Sequence, residues 1–211
     1  MSAPIPSLKF ERGFWSRGLE LVAGLDEVGR GAWAGPVVAG AAILPRLKRV
    51  PRNLKRVRDS KLLSPDERED LIEPIQAAAL AYAIGLASRA EIDDLGIVRA
   101  TRLAMKRALE ALTAPPKALL IDALKLSEIE LPQRAIIRGD QLSLSIACAS
   151  ILAKVARDRM MVDLDAEVPG YAFGRHKGYG TPQHRAALEK LGASSEHRVS
   201  FAPIRKNLPQ A

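Results

Sequence analysis

The sequence predicts an α/β fold, in which a mixed sheet is flanked by helices and followed by a helical C-terminal piece. Short apolar segments of strand length come first, and strand-like and helix-like segments then alternate along the chain. Because 47% of the 211 residues are hydrophobic, the chain is long and apolar enough for one domain with a packed core.

The first predicted elements are two strands and a basic loop. Residues 22–28 and 37–44 are apolar and of strand length, and the glycine-rich connection between them predicts an antiparallel, hairpin-like pair. The preceding segment, 1–20, is predicted to be a partly ordered lead-in. The following segment, 45–61, carries many Lys and Arg against a single acid, Asp59, and is predicted to be a basic loop.

A helix is predicted to begin at a capping box over residues 64–67, with Pro65 at its first helical position. Apolar positions continue it toward Ala79, although Pro74 is expected to strain or interrupt it. Residues 80–87 predict the next strand.

A second helix is predicted to have its N-cap at Asp93 or Asp94. Its apolar positions between 95 and 112 fall mostly on one face, which is typical of a helix packed against a sheet. Pro115 and Pro116 are expected to end it.

The rest of the chain predicts two strands and two helices. The short apolar segments 117–122 and 134–138 each end at or next to a carboxylate. Residues 143–162 form the clearest helical pattern, since apolar side chains recur every three or four positions. A loop rich in Gly, Tyr, His and Lys at 170–182 precedes a helix over 183–191.

The balance of charge predicts a polyanionic partner. The chain carries 32 Lys and Arg against 24 Asp and Glu, a formal net charge of +8. The longest apolar run, 37–44, is too short to cross a membrane, and residues 1–20 lack the apolar core of a signal peptide. The lone Cys148 excludes an internal disulfide and a cysteine-based zinc site. Nucleic acid is therefore favoured over a membrane, and a reducing, cytoplasmic location is expected.

Four carboxylates are candidates for a metal site. Asp26, Asp122 and Asp140 each lie at or near the end of a predicted strand, where sites gather in α/β sheets, and Glu27 adjoins the first. Oxygen ligands with no Cys and few His favour Mg²⁺ or Mn²⁺, and two such ions about 4 Å apart can serve phosphodiester cleavage. Taken alone, each acid is better interpreted as a turn or cap residue. Taken together in a basic chain, they favour a metal site.

One geometric condition applies to the first two acids. Neighbouring residues of a strand point to opposite faces, so Asp26 and Glu27 can share a site only if the strand ends, bulges or twists there. The glycine turn that follows makes such an ending plausible.

The turn Gly29-Arg30-Gly31 follows these acids directly. Glycine on both sides of Arg30 lets a polymer backbone come close to bare amide groups. With Gly35, the turn also looks like a loose dinucleotide-binding loop, but Pro36 leads into a strand-like segment instead of a helix. A phosphate backbone beside a metal site is therefore the favoured interpretation.

The chain resembles the ribonuclease HII family, the prokaryotic type-2 RNase H, in ordered blocks between Gly24 and Arg205. The blocks are GLDEVGRG (24–31) with AGPV (34–37), DSKLLS (59–64), ID (121–122), GD (139–140) with SILAKVARDR (150–159), and HKGYGT (176–181) with HRVSFAP (197–203). Any one block could arise by chance, but the ordered set is highly specific.

The resemblance implies an RNase H-like fold with a C-terminal helical extension. Residues 1–20 would be the lead-in, 21–165 the catalytic core, and 166–211 a loop and helical extension of the same domain. It also implies a metal-dependent endoribonuclease that hydrolyses the RNA strand of RNA–DNA hybrids. The enzyme would incise 5′ to single ribonucleotides in duplex DNA, leaving 3′-OH and 5′-phosphate ends, and a monomer is expected.

By position, the four metal-binding acids of the family match Asp26, Glu27, Asp122 and Asp140. The resemblance implies two Mg²⁺ or Mn²⁺ ions during catalysis. One ion, held by Asp26, Glu27 and Asp140, would activate water. The other, shared by Asp26 and Asp122, would stabilise the leaving 3′ oxygen.

Further positions match substrate-binding residues of the family. Gly29, Arg30 and Gly31 match the motif that recognises the ribonucleotide through its 2′-OH, the group that distinguishes RNA from DNA. Tyr179 matches the aromatic residue that stacks on the sugar just 3′ of the ribonucleotide. Lys61 is a candidate phosphate contact, with a solvated lysine of the basic loop as an equally good interpretation.

Other polar and aromatic residues have simpler interpretations. Asp158 lies one helical turn after Lys154, which predicts a salt bridge, and a role near the site is secondary. His176 and His197 could shuttle protons, but a structural or phosphate-binding role is favoured for each. Trp33 is better interpreted as packing than as base stacking.

Two positions depart from the family pattern. Where glycine usually follows the third acid, this chain has Ala123, so the local turn is expected to differ. Where a lysine often follows the Gly-Asp pair by two residues, it has Leu142, which removes one phosphate contact. Neither position is a metal ligand, so activity is expected to survive.

Two alternatives differ from this reading of the sequence. An RNase H-fold nuclease that requires a longer RNA tract would ignore single ribonucleotides, and Tyr179 within Gly-Tyr-Gly argues against it. A basic nucleic-acid-binding protein without catalysis would gain nothing from carboxylates that face phosphate.

Overall fold

A five-stranded mixed sheet forms the centre of the computed structural model, which describes residues 4–206. Its strands are β1 (Val22–Val28), β2 (Val37–Ile43), β3 (Ala81–Ala87), β4 (Ala118–Asp122) and β5 (Gln133–Ile136). They are ordered β3-β2-β1-β4-β5; β2 is antiparallel to both β1 and β3, whereas β4 is parallel to both β1 and β5. The predicted mixed sheet is confirmed, together with its hairpin-like start.

Helices cover the sheet and form the C-terminal part. They are α1 (Lys9–Trp15), α2 (Pro65–Glu69), α3 (Ile72–Ala78), α4 (Arg89–Leu95), α5 (Ile97–Glu110), α6 (Leu144–Glu167), α7 (Phe173–His176), α8 (Pro182–Leu191) and α9 (Ala202–Arg205). Tighter single turns occupy 52–54, 60–62 and 139–141. The predicted lead-in and C-terminal extension reach beyond the described residues at 1–3 and 207–211.

The sheet separates two apolar layers. On one face, α6 packs against β1 and β2, with α1 and α3 beside it; on the other face, α5 packs against β2 and β3. Successive residues of β1 supply both layers, since Val22 joins the layer of α6 whereas Ala23 and Leu25 join that of α5. In the described part of the chain, no helix is long and apolar enough to cross a membrane.

Close approach of α6 to the sheet depends on two glycines. A Cβ atom at Gly24 would collide with the backbone of Ser145, and one at Gly40 would collide with the carbonyl of Ala149. Ser143 begins this helix, because its side chain accepts a hydrogen bond from the amide of Ile146. The helix backbone therefore lies directly on β1 and β2.

The helix predicted to run from the capping box to Ala79 is divided in two. Ser64 and Glu67 form the predicted capping box, but α2 ends at Glu69 and α3 begins at Ile72. The break precedes Pro74, which lies in the first turn of α3, where a missing amide hydrogen costs nothing. The predicted interruption is confirmed: a proline at 74 cannot donate to the carbonyl four residues earlier, at Asp70, and the helix is divided there.

The predicted N-cap at Asp93 or Asp94 was wrong. Ser88 caps α4 in a second capping box with Glu91, and Gly96, with φ +77°, separates α4 from α5. The helix then ends at Glu110, before the paired prolines. Asp93 instead accepts hydrogen bonds from the amides of Val199 and Ser200 and so ties α4 to the C-terminal part.

The predicted lead-in contains a helix that belongs to the core. Phe14 and Trp15 of α1 are buried in the layer of α6. Glu11 is also buried, and its Oε1 accepts hydrogen bonds from the hydroxyls of Ser143 and Ser145, at 2.7 and 2.8 Å. A carboxylate at the N-terminus of α6 is favoured by the helix dipole, so Glu11 anchors α1 to that helix.

The two departures from the family pattern lie close to the strand ends. Ala123, directly after β4, has φ +51°, a left-handed conformation that favours glycine. The chain thus adopts a left-handed conformation here without the residue that best suits it. The Leu142 side chain is 37% exposed, and its carbonyl accepts a hydrogen bond from the Ser7 amide.

We expect Gly40→Ala to destabilise the protein by about 3 kcal/mol or more, because the added methyl group would push the backbone of α6 off the sheet. Chemical denaturation measures the free energy of unfolding. Gly13→Ala in α1 is the matched control. A Cβ atom there meets nothing within 4 Å, so the same change is expected to stabilise by up to about 1 kcal/mol. Equal effects of both substitutions would contradict the close approach at Gly40.

Candidate active site

The four predicted acids converge at one end of the sheet. Asp26 and Glu27 lie near the end of β1, and Asp122 is the last residue of β4, which runs parallel beside β1. Asp140 lies in the single turn between β5 and α6. Oδ1 of Asp122 accepts a hydrogen bond of 2.6 Å from the amide of Gly139 and so joins β4 to that turn. The structure thereby brings together residues that are far apart in sequence.

The first two acids lie beyond the parallel pairing of β1 with β4. That pairing ends where Leu25 faces Ile121, whereas the antiparallel pairing with β2 continues to Val28. The strand therefore continues past these acids, although the sequence had suggested that it could end there. Oδ1 of Asp26 accepts a hydrogen bond of 2.8 Å from the amide of Glu27, and the charge of Glu27 raises the pKa of Asp26. The two side chains are thus close enough to act on one another.

Burial and mutual repulsion raise the pKa values of these acids. Burial is the largest cause at Asp26, whose pKa lies well above its usual value, and at Glu27 and Asp122, whose pKa values are also raised. The pKa of Asp140 rises to about 6, again first through burial. The site therefore disfavours four negative charges, which a bound cation would compensate.

A fifth carboxylate, Asp59, lies in the same cluster and was missed as a site residue. It is buried, and its charge is the second cause, after burial, of the raised pKa of Asp140. Its two oxygens accept hydrogen bonds from the amide of Lys61 and from Nε2 of Gln141, at 2.9 and 3.0 Å. The available signal was its place in the block DSKLLS, which ends the basic loop.

Lys61 extends from the end of the basic loop over the cluster. Its Nζ lies 3.8 Å from Oδ2 of Asp140, and its side chain is 80% exposed. An exposed ammonium group beside the acids is able to contact an incoming phosphate.

A serine pair connects the basic loop to the centre of the site. The hydroxyls of Ser60 and Ser150 lie 3.1 Å apart, and the Ser150 side chain in turn hydrogen-bonds Asp26. Because Ser150 belongs to α6, this helix contacts and holds Asp26 through the Ser150 hydroxyl.

The donor chemistry of the cluster fits a divalent cation. Its candidate ligands are all carboxylates, the donors that Mg²⁺ and Mn²⁺ prefer. Oε2 of Glu27 is buried and has no hydrogen-bond partner among residues 4–206. As arranged here, no three His, Cys, Asp or Glu side chains of the described residues stand close enough to enclose one ion. Binding would therefore require the carboxylates to move closer together.

The glycine turn and Tyr179 lie side by side next to the acids. A Cβ atom at Gly31 would lie 3.9 Å from the Tyr179 ring, which is part of a side chain that is 37% exposed. Nη1 of Arg30 donates a hydrogen bond of 3.0 Å to Glu27 and thus ties the turn to the acids. Gly29 has φ +90°, which side chains other than glycine rarely adopt.

Asp158 makes the predicted salt bridge. Its Oδ1 lies 2.6 Å from Nζ of Lys154, and its Oδ2 lies 3.5 Å from Nη2 of Arg68. These partners account for its charge without a role in the cluster.

The three histidines of the chain form one buried cluster. His176 stacks on His184 with ring centroids 4.5 Å apart, and Nε2 of His184 lies 3.0 Å from Nε2 of His197. Burial is the largest cause that lowers the pKa of His184 and of His197, the latter to about 4. Trp33 packs against Gly180, as expected of a packing residue. These rings support the loop of Tyr179 from the interior.

Fold and site together place the chain among nucleases with an RNase H-like fold, in which carboxylates gather at one end of a mixed sheet. The family model of ribonuclease HII matches residues 23–204. The chain therefore belongs to the ribonuclease HII family.

Individual proteins agree with this family. Ribonuclease HII of Dehalococcoides mccartyi is 50% identical over 205 residues, which cover 97% of this chain and 96% of that protein. The crystal structure of ribonuclease H2 from Pyrococcus horikoshii OT3 has a TM-score of 0.70 at 27% identity, over 88% of this chain and 95% of that one. RNase HII in a PCNA complex from Archaeoglobus fulgidus has a TM-score of 0.72 at 25% identity, over 90% and 98% of the chains.

Membership of this family defines the reaction. The chain is a hydrolytic endonuclease of the ribonuclease H type, which hydrolyses the RNA strand of RNA–DNA hybrids and incises 5′ to single ribonucleotides in duplex DNA. The RNase H-like fold with a helical C-terminal part is confirmed by the same relatives.

We expect Asp140→Asn to stabilise the metal-free protein at neutral pH, by on the order of 1 kcal/mol. A folded-state pKa of about 6, above the ordinary value of 3.8, means that ionisation costs stability between about pH 4 and pH 6. The gain should therefore be absent below pH 4 and complete above pH 6. Thermal unfolding of both proteins in EDTA across this range measures it, and a gain that does not change with pH would contradict the assignment.

Proposed function

We propose that Asp26, Glu27, Asp122 and Asp140 are the catalytic carboxylates and that they hold Mg²⁺ or Mn²⁺, with two ions during catalysis. The observation that carries the proposal is the convergence of buried and half-buried acids whose pKa values are raised by burial and by one another. When bound, the ions supply positive charge to the attacking and leaving oxygens of the phosphodiester. Family membership supports the metal dependence.

The chain's own residues would hold this arrangement in place. Asp26 lies at the centre, because the charges of Glu27, Asp122 and Asp140 all act on it. The Gly139 amide orients the carboxylate of Asp122 through its hydrogen bond. Asp59 orients the backbone at Lys61 beside the cluster. These contacts would hold Asp122 and the backbone at Lys61 in position beside the substrate.

The turn Gly29-Arg30-Gly31 is assigned to recognition of the ribonucleotide, and Tyr179 to the sugar that follows it. Their adjacency supports this assignment, since the ribose and the next sugar of one strand lie a nucleotide apart. A ring that stacks on deoxyribose is crowded by a 2′-OH, so Tyr179 would favour an RNA–DNA junction. Lys61 would contact a phosphate.

Affinity for the nucleic acid is assigned to the basic loop 45–61 and to the C-terminal loop. Exposed Lys and Arg bind phosphates without regard to sequence. This attraction weakens as the salt concentration rises, because the counterions that they release then gain less entropy. RNA–DNA hybrids and ribonucleotide-containing duplex DNA are the proposed partners. The proposal includes a monomer that acts in the cytoplasm.

We expect Asp26→Asn to lower kcat at least about 10³-fold while duplex binding persists, because the variant loses the central negative charge of the cluster. The assay is nicking of a labelled DNA duplex with one ribonucleotide, in Mg²⁺ or Mn²⁺ and in EDTA. A filter-binding assay in parallel measures affinity.

Asp94→Asn is the matched control for this test, since Asp94 is exposed on α4, away from the cluster. It should nick as well as the parent chain. Unchanged activity of Asp26→Asn would overturn the site, and binding without metal-dependent nicking by the parent chain would indicate a binding protein without catalysis.

We expect Tyr179→Ala to reduce nicking at a single ribonucleotide about tenfold relative to cleavage of a long hybrid, because loss of stacking costs about 1–3 kcal/mol. The ratio of the two kcat/KM values measures the effect. Tyr82→Ala on β3 removes an equally exposed ring and should leave the ratio unchanged. An unchanged ratio in Tyr179→Ala would favour a nuclease that reads only longer RNA tracts.

A further inference from the structure

Arg157 of α6 is a fully buried cation that joins two loops. Its Nε donates a hydrogen bond of 2.9 Å to the carbonyl of Pro36, and its Nη2 donates one of 3.2 Å to that of Ala34. Its Nη1 donates a hydrogen bond of 2.9 Å to the carbonyl of Lys177. The first two carbonyls belong to the segment that begins at Gly29, and the third belongs to the segment of Tyr179.

The same side chain touches the groups assigned to substrate recognition in both segments. A Cβ atom at Gly29 would collide with Nε of Arg157, so the glycine turn rests directly on the guanidinium group. The carbon at the centre of that group lies 5.7 Å from the ring centroid of Tyr179. Between these contacts, Lys177 has φ +54°, a conformation that a non-glycine residue keeps only when its surroundings hold it.

This arrangement is costly for stability. Among residues 4–206, no carboxylate oxygen lies within 4.0 Å of the Arg157 guanidinium, and burial lowers its pKa. Asp158 acts on it only at longer range, since that carboxylate pairs with Lys154 and Arg68. A buried cation satisfied by carbonyls alone is expensive compared with an apolar side chain of similar size. Stability therefore does not explain its presence.

Arg198 provides an internal comparison. It is equally buried and also donates only to carbonyls, those of Arg30, Gly35 and Pro36, at 3.0–3.1 Å. All three belong to the first segment. Among the described residues, Arg198 has no hydrogen bond to the segment of Tyr179, so Arg157 is the one of the pair that spans both.

We propose that Arg157 is a positioning residue that sets the distance between the ribonucleotide-reading turn Gly29–Gly31 and the junction-reading ring of Tyr179. The inference rests on the roles proposed above for these residues and adds a dependence of one on the other. Each hydrogen bond fixes a carbonyl of one segment to the same rigid plane, so the two segments keep one register. A displacement of about 1 Å in such a register is enough to lower catalysis by as much as two orders of magnitude.

The test compares two substrates with each variant. Substrates are a DNA duplex with a single ribonucleotide and a long RNA–DNA hybrid, in which the sugar facing Tyr179 is a ribose and gains no stacking. The readout is the ratio of kcat/KM on the first to kcat/KM on the second. This ratio does not depend on the fraction of enzyme that is folded, so a loss of stability alone does not change it.

The variants are Arg157→Gln and Arg157→Lys, with Arg198→Gln as the matched control. We expect Arg157→Gln to lower the ratio about fivefold or more, and Arg157→Lys to recover part of it, since one ammonium group reaches fewer carbonyls. Arg198→Gln should lower activity on both substrates but lower their ratio less than Arg157→Gln does, because its hydrogen bonds stay within the first segment. In a Tyr179→Ala background, Arg157→Gln should have no further effect on the ratio.

Each other outcome is decisive. An unchanged ratio in both Arg157 variants, with Tyr179→Ala lowering it, would overturn the inference and leave the proposed function intact. Equal losses of the ratio in Arg157→Gln and Arg198→Gln would also overturn it, because the effect would not be specific to the residue that spans both segments. An unchanged ratio in Tyr179→Ala would overturn the proposed role of Tyr179 and the inference with it.

Discussion

Contact of the α6 backbone with β1 and β2 is the constraint on which the rest of the structure depends. The helix comes this close because Gly24 and Gly40 present no side chain to it. From that position it supports Asp26 through Ser150 and begins just after Asp140. The carboxylate cluster is therefore built on a layer in which helix and sheet backbones are in close contact.

The charge distribution sets stability against function. The acids of the cluster repel one another in a partly buried setting, and each is harder to ionise as a result. The chain as a whole is basic, with a net charge of +8. Within a positively charged protein, a cluster of acids favours the binding of a divalent cation, and the basic surface around it favours the binding of phosphates. Under the proposed function, a bound cation would recover the free energy lost in holding the acids together.

Much of this could be predicted from the sequence, and the failures have physical reasons. The strands followed from apolar segments, and α6 from its period and from Ser143. Helix caps were harder to predict. Several acids near position 93 could cap a helix, but Asp93 instead accepts a hydrogen bond from Ser200, a contact distant in sequence. Burial of Glu11 was invisible, since its partners are distant in sequence. Asp59 and Arg157 were missed as site residues for the same reason.

The length of α6 sets the distance between the carboxylate cluster and the loops that Arg157 joins. From its first residue, beside Asp140, to Arg157, beneath the glycine turn, the helix rises about 20 Å at 1.5 Å per residue. One inserted residue would turn Arg157 by about 100° around the axis and away from both loops. Insertions between these points should thus be excluded in evolution, whereas the exposed basic loop is free to change its length.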